Sequence, residues 1–213
     1  MAETPLVYVI DDDEAVRDSL TLLLESAGFK VRTHPAATAF LDDLSKQNAP
    51  SCVLTDVRMP EMGGLELQRR LTELGSRLPV IVMTGHGDVP IAVEALKAGA
   101  TDFLEKPFDD SQLLAAISSA LAVSQRSQEE AAAIVGIREK LATLTPRERE
   151  VLEKLVEGLP NKTIAYDLGS SPRTVEVHRA RVMEKMGARS LPELVRMTIA
   201  AERQTPVTKL PRR

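Results

Sequence analysis

The sequence predicts two domains in series, an α/β domain on a five-stranded parallel sheet and then a small all-helical domain. Three observations carry this prediction. Five short apolar runs alternate with five amphipathic stretches up to about residue 123, and four compact helical patterns follow residue 143. Charge divides along the same line. Residues 1–123 hold 10 Lys+Arg against 19 Asp+Glu and the remainder 17 against 12, so the halves carry −9 and +5 of the net −4.

Strands are expected at Leu6–Ile10, Phe29–Thr33, Ser51–Thr55, Pro79–Met83 and Thr101–Leu104, with helices at Glu14–Ala27, Ala36–Gln47, Leu65–Leu74, Val89–Ala98 and Ser111–Val123. Strands that are continuously apolar suit a parallel sheet covered on both faces. Gly28 and Gly99 fall just past helices, where a left-handed residue closes the last turn. Residues 124–143 are polar and alanine-rich, reading as a largely helical linker able to continue the preceding helix; a flexible coil is the alternative.

The helical domain is expected over 144–203. Thr145-Pro146-Arg147-Glu148 is a capping box with proline at the first helical position, opening a helix that stops at Gly158. Asn161 is expected to cap a short helix through Leu168, and Ser171-Pro172 opens a third, to about Met186. Ser190 with Glu193 caps a fourth, to about Ala201. Residues 204–213, with two prolines, read as a loose basic tail.

Composition narrows the function. Apolar content of 43% with 27% charge is that of a folded chain. No apolar run approaches the roughly 18 residues of a membrane span, and no secretion signal opens the chain. A single cysteine, Cys52, excludes an internal disulfide and suits a reducing cytoplasm. The acidic first half argues against nucleic acid there, while the basic second half permits it.

In a doubly wound sheet, ligands bind beyond the carboxyl ends of the strands. There the sequence places Asp11, Asp12 and Asp13, then Asp56, Thr84 and Lys106. Clustered carboxylates repel unless a hard cation lies between them, which suits Mg²⁺. Asp56 is then the candidate nucleophile for a phosphoryl group, Lys106 neutralises charge in transfer, and Thr84 donates its hydroxyl to a phosphoryl oxygen. Each piece has a plainer meaning alone. An acidic run after a strand is often a helix cap, which Asp13 is expected to be. His86 in Gly85-His86-Gly87 reads as a loop histidine without partner ligands.

Asp11-Asp12, Thr55-Asp56-Val57-Arg58-Met59-Pro60, Met83-Thr84-Gly85 and Phe103-Leu104-Glu105-Lys106-Pro107 resemble the receiver domain of two-component response regulators across the first half. The resemblance implies a flavodoxin-like sheet of order 2-1-3-4-5. It implies Mg²⁺ held by Asp12, Asp56 and the backbone carbonyl of Arg58, with Asp11 acting through water, and a cis Lys106-Pro107 peptide. Phe103 takes the family's switch-aromatic position, moving inward as Thr84 turns. A sensor histidine kinase is the implied phosphoryl donor, and the phosphorylated form is expected to be a homodimer.

Leu144 to Val151, Asn161 to Ala165 and Ser171 to His178 resemble the LuxR/FixJ-type helix-turn-helix, implying duplex DNA as ligand and RNA polymerase as a further partner. A helical wheel puts Val175, Val182 and Met186 on the core face of the third helix and turns Arg173, Val177, Ala180 and Glu184 the other way. In a major groove Val177 suits a thymine methyl, Glu176 a cytosine amino group, and Arg173 guanine or phosphate. Thr174, Arg181, Lys185, Lys162 and Thr163 suit backbone phosphates. Plainer alternatives are a Glu176–Arg179 surface pair and a His178 that only packs. The reading is a phosphorylation-dependent transcription regulator, expected to be an activator. Two others compete: a constitutive DNA-binding protein with a non-switching receiver, and an aspartyl phosphatase of haloacid-dehalogenase type. The latter needs Asp-x-Asp, where Asp56 is followed by Val57 and Arg58.

Overall fold

The computed structural model describes residues 4–44, 49–85 and 89–203. It divides into two compact units, Met1–Glu129 and Glu130–Arg213. In the first, β1 (Leu6–Ile10), β2 (Lys30–His34), β3 (Ser51–Asp56), β4 (Val80–Thr84) and β5 (Asp102–Glu105) pair in parallel in the order β2-β1-β3-β4-β5. Between them run α1 (Glu14–Ser26), α2 (Ala37–Asp42), α3 (Gly64–Glu73) and α4 (Val89–Lys97).

Alternation along the strands sorts the core into two layers. Val7, Val9, Cys52, Leu54, Ile81 and Met83 pack with Leu20, Leu24, Leu113 and Ile117 of the helices on one face. Tyr8, Ile10, Val53, Val80 and Val82 meet Phe40, Leu67, Leu71 and Ala95 on the other. Each fully buried aliphatic side chain contributes roughly 1.5–3 kcal/mol. Cys52 is fully buried, and burial pushes its thiol pKa up to about 12. The edge strand β2 departs from the expected apolar run, since Lys30, Arg32 and Thr33 face solvent and only His34 is buried. An edge needs cover on fewer sides, which permits this composition.

The linker is helical: α5 runs unbroken from Asp110 to Ala142. Its first turns bury Leu113, Ile117 and Leu121, and Ser124 Oγ accepts the Ser51 N–H at 3.0 Å. The second unit adds α6 (Pro146–Val156), α7 (Asn161–Asp167), α8 (Pro172–Met186) and α9 (Leu191–Arg203) around Val151, Leu152, Leu155, Ile164, Val175, Val182 and Leu194. The capping box forms as expected: Thr145 Oγ1 accepts the Glu148 N–H, and Glu148 Oε2 accepts the Thr145 N–H at 2.9 Å. Ser171 caps α8, and Gly187 at φ 67° ends it. Asn161 is not a cap; it is the first residue of α7, after Pro160, and its Oδ1 accepts from Arg179 at 3.4 Å. The expected end of α2 at Gln47, the His86 loop and the basic tail lie outside the described residues.

Candidate functional site

The parallel strands deliver Asp11, Asp56, Thr84 and Lys106 to one edge of the sheet, across the β1–β3 switch in strand order. Lys106 Nζ donates to Asp56 Oδ1 at 2.6 Å and to Asp11 Oδ2 at 3.1 Å. The Asp11 carboxylate is 3% exposed and that of Asp56 14%, so both face the ammonium in a partly dried pocket. Burial pulls the Lys106 pKa down, but hydrogen bonds and charge from Asp56 and Asp11 together outweigh it and hold the value above that of an ordinary lysine. The lysine is therefore cationic at neutral pH. Its peptide to Pro107 is cis.

Short backbone bonds aim the carboxylates. Asp56 Oδ2 accepts the Arg58 N–H at 2.6 Å, Asp11 Oδ1 the Asp13 N–H at 3.0 Å, and Asp13 Oδ1 the Ala15 N–H at 2.8 Å. Asp13 thus caps α1, as expected, while Asp12 is exposed beside it. Thr84 is buried, and among the described residues its hydroxyl donates to the Gly85 carbonyl at 3.5 Å. A contact that long holds the rotor weakly.

Two features of this pocket escaped sequence reasoning. Arg17 donates to the carbonyls of Asp11 (2.8 Å) and Asp12 (3.1 Å), gripping the acidic loop without occupying its carboxylates. Gly63 and Gly64, where α3 begins, lie under the loop that follows Asp56: a Cβ on Gly63 would stand 2.5 Å from the Val57 carbonyl oxygen, and one on Gly64 2.5 Å from that of Asp56. The Gly-Gly pair after Met-Pro is the signal that would have found the second.

Among the described residues, no three His, Cys, Asp or Glu side chains are gathered closely enough to hold a metal ion alone. The donors at the sheet edge are nonetheless all hard oxygens, two carboxylates converging on one cation with a third beside them. That set fits an ion that keeps several waters and takes few protein ligands, which is the habit of Mg²⁺. Phe103, on β5, is 37% exposed and lines an open cavity of about 640 Å³ with Glu105, Phe108 and Gln112.

In the second unit, α8 buries Val175, Val182 and Met186, as the wheel predicts. Arg173, Thr174, Glu176, Val177, Ala180 and Arg181 are exposed, as are Lys162 and Thr163 on α7. Arg179 reaches Asn161 rather than Glu176, leaving the Glu176 carboxylate on the open face. His178 is half-buried with Nδ1 enclosed and lacking a hydrogen-bond partner, in keeping with packing. Lys185 differs from its neighbours: its ammonium donates to Glu148 Oε2 at 2.6 Å and to the Thr143 carbonyl at 3.1 Å.

Four other basic side chains of this unit also donate to carbonyls near helix ends, three of them from exposed positions. Arg138 donates to Ala201 O, Lys140 to Met186 O, Arg147 to Leu168 O and Arg149 to Leu141 O. Carbonyls at helix C-termini lack partners and carry partial negative charge, so cations settle there.

Comparison with known proteins agrees with both halves. The model of the response regulator receiver domain matches residues 7–118, and that of the luxR family of bacterial regulatory proteins matches residues 142–198. The transcriptional regulatory protein FixJ of Azorhizobium caulinodans is 59% identical over 203 residues, 94% of this chain and 95% of its own. FixJ of Bradyrhizobium diazoefficiens is 52% identical over 195 residues, 92% and 95% of the two chains. Among solved structures, the response regulator StyR superimposes with a TM-score of 0.77 at 41% identity, over 92% of this chain and 99% of its own. Full-length FixJ from B. japonicum gives 0.56 at 50%, over 96% and 100%. A receiver implies a histidine kinase as partner, a luxR-type domain implies DNA, and regulators built this way are transcription factors rather than enzymes. Among the described residues no helix is long and apolar enough to cross a membrane. With an acid pocket at one sheet edge and a solvent-facing helix in the following bundle, the chain belongs to the two-component response regulators, in the FixJ-like class that joins a receiver to a luxR-type helix-turn-helix.

Proposed function

We propose that phosphoryl transfer to Asp56 switches this regulator, that the phosphorylated receivers pair, and that the dimer binds duplex DNA and activates transcription through RNA polymerase. The observation that supports this most is Lys106 spanning Asp11 and Asp56 at the carboxyl edge of the sheet. An Asp56 oxygen attacks the phosphorus of the kinase's phosphohistidine, the new O–P bond forming as the P–N bond breaks and imidazole leaves. Lys106 releases its pair to meet the equatorial phosphoryl oxygens. Asp12, Asp56 and the Arg58 carbonyl, with Asp11 through water, would hold Mg²⁺, which supplies the remaining positive charge when bound.

Thr84 then turns its weakly held hydroxyl to the phosphoryl group, and the Phe103 ring moves inward into the space left behind. This reshapes the surface of α4, β5 and α5, the surface on which receivers pair. Shifting such a two-state element from 1:99 to 99:1 takes about 5.5 kcal/mol of differential interaction. On DNA, the N-terminal half of α8 enters the major groove, with Arg173, Glu176, Val177 and Ala180 toward base edges. Thr174, Arg181, Lys162 and Thr163 lie toward phosphates.

Asp56→Asn, incubated with Mg²⁺ and acetyl phosphate, is expected to stay monomeric in size-exclusion chromatography and to gain no DNA affinity, while the parent does both. A variant that dimerises and binds as the parent does under the same donor refutes the switch.

A further inference from the structure

Lys185 was expected to touch a phosphate, yet its ammonium points into its own domain. It donates to the Thr143 carbonyl, one residue past the end of α5, at 3.1 Å. In return Lys140, on the last turns of α5, donates to the carbonyl of Met186, the last residue of α8, at 3.1 Å. Each helix end is thus capped by a lysine from the other. The fit is close, since a Cβ on Gly187, the residue ending α8, would lie 3.3 Å from Lys140 Nζ. Arg138 extends the stitch by donating to Ala201 O of α9 at 2.9 Å.

Three helix C-termini with partial negative charge would repel one another here without these cations. The buried Glu148 completes the arrangement, accepting from Lys185 at 2.6 Å while it also caps α6. From Lys185 back to Arg173 is about 18 Å along the helix axis. A tilt of about 5° at the clamped end moves Arg173 by roughly 1.6 Å, enough to break a hydrogen bond to a base.

We propose that Lys140 and Lys185 are positioning residues for DNA binding, a crossed pair of helix-end caps that fixes the tilt of α8. Lys185 then acts without contacting a phosphate. The proposal rests on the reading of α8 as the recognition helix. It explains why a lysine on the phosphate-facing flank of the wheel is directed at a buried carboxylate and a helix-end carbonyl of the protein itself.

The experiment measures binding of the full chain to a duplex selected from random oligonucleotides by the parent, from 50 to 300 mM salt. A lost phosphate contact lowers the slope of log affinity against log salt by about 0.9, whereas a lost positioning contact shifts the line without changing its slope. Lys140→Met is the primary variant because its partner is a single backbone carbonyl. Lys185→Met is paired with Glu148→Gln so that no buried carboxylate is stranded. Both are expected to bind on the order of 5–10-fold more weakly at every salt, on lines parallel to the parent, and Lys140→Arg is expected to recover most of the loss. Arg181→Met, an assigned phosphate contact, is expected to flatten the line. A flattened line for Lys185→Met/Glu148→Gln overturns the proposal. So does a Lys140→Met chain that melts earlier yet binds like the parent. If Arg181→Met keeps the parental affinity and slope, the recognition-face reading is what fails, and the proposal falls with it.

Discussion

Replacing Gly64 by alanine tests whether the loop that carries Asp56, the proposed phosphoacceptor, is seated by bare backbone contact. The new methyl would stand 2.5 Å from the Asp56 carbonyl oxygen and 2.9 Å from Thr55 Cγ2, where ordinary contact begins at 3.4 Å. Either the start of α3 or the loop must yield by roughly 0.9 Å. Neither neighbour is the far end of a flexible side chain, so relaxation carries the backbone with it. Overpacking of this kind costs about 1–3 kcal/mol, set against a total stability of about 5–15 kcal/mol. For a unit of this size the melting temperature should fall on the order of 5–10 °C. Asp56 would also shift relative to Lys106, and a displacement near 1 Å can slow an oriented reaction by up to about 10²-fold. Calorimetry on the full chain reads the first quantity and phosphoryl uptake from acetyl phosphate the second. Gly136→Ala is the control of opposite sign, because nothing lies within 4 Å of its new methyl inside α5. It should gain about 0.5–1 kcal/mol of stability. If Gly64→Ala melts and phosphorylates as the parent does, the contact does not seat the loop and the reasoning is wrong.

Thr145→Ala removes one half of the capping box and should cost about 1 kcal/mol in chemical unfolding of the second unit. Glu148 sets a pH dependence: the Lys185 hydrogen bond first, then the Thr145 N–H, lowers its pKa to about 2 from an ordinary 4.5. A lowered folded-state pKa gives stability that is full above pH 4.5 and is lost as pH falls toward 2, so the gap in urea midpoint between parent and Glu148→Gln should close over that range. Glu176→Ala should relax preference at one base pair by about 1–3 kcal/mol in binding competition, leaving the other positions of the site unchanged. Removing Mg²⁺ with a chelator should stop phosphoryl uptake from acetyl phosphate while the melting of the second unit stays put.

The fold was legible wherever local chemistry decides the outcome. Thr145 with Glu148, and Ser171 before Pro172, announce helix starts because their side chains reach backbone within the same turn. The meeting of Asp11, Asp56 and Lys106 was legible too, because parallel strands deliver their carboxyl ends to one edge. What stayed hidden depends on partners distant in sequence. Nothing local says that Arg17 bonds carbonyls rather than carboxylates, or that Lys140 and Lys185 exchange caps 45 residues apart in the chain. Polar, alanine-rich residues 124–143 read as largely helical and are so, with coil the alternative because helices of that composition draw their stability from what they join. Asn161 misled for a simpler reason: Pro160 before it already supplies the extended residue at the helix start.

The sole cysteine of the chain sits on the middle strand of the sheet, sealed on both faces, with a thiol that stays protonated at any working pH. Thiol-directed dyes and spin labels therefore have no native target while the protein is folded. A reporter cysteine placed at an exposed position such as Val135 or Ala180 can be labelled without first removing Cys52. The chain also lacks tryptophan, so one introduced there becomes a lone emitter. The wild-type background is thus already spectroscopically quiet for following motion in α5 and α8.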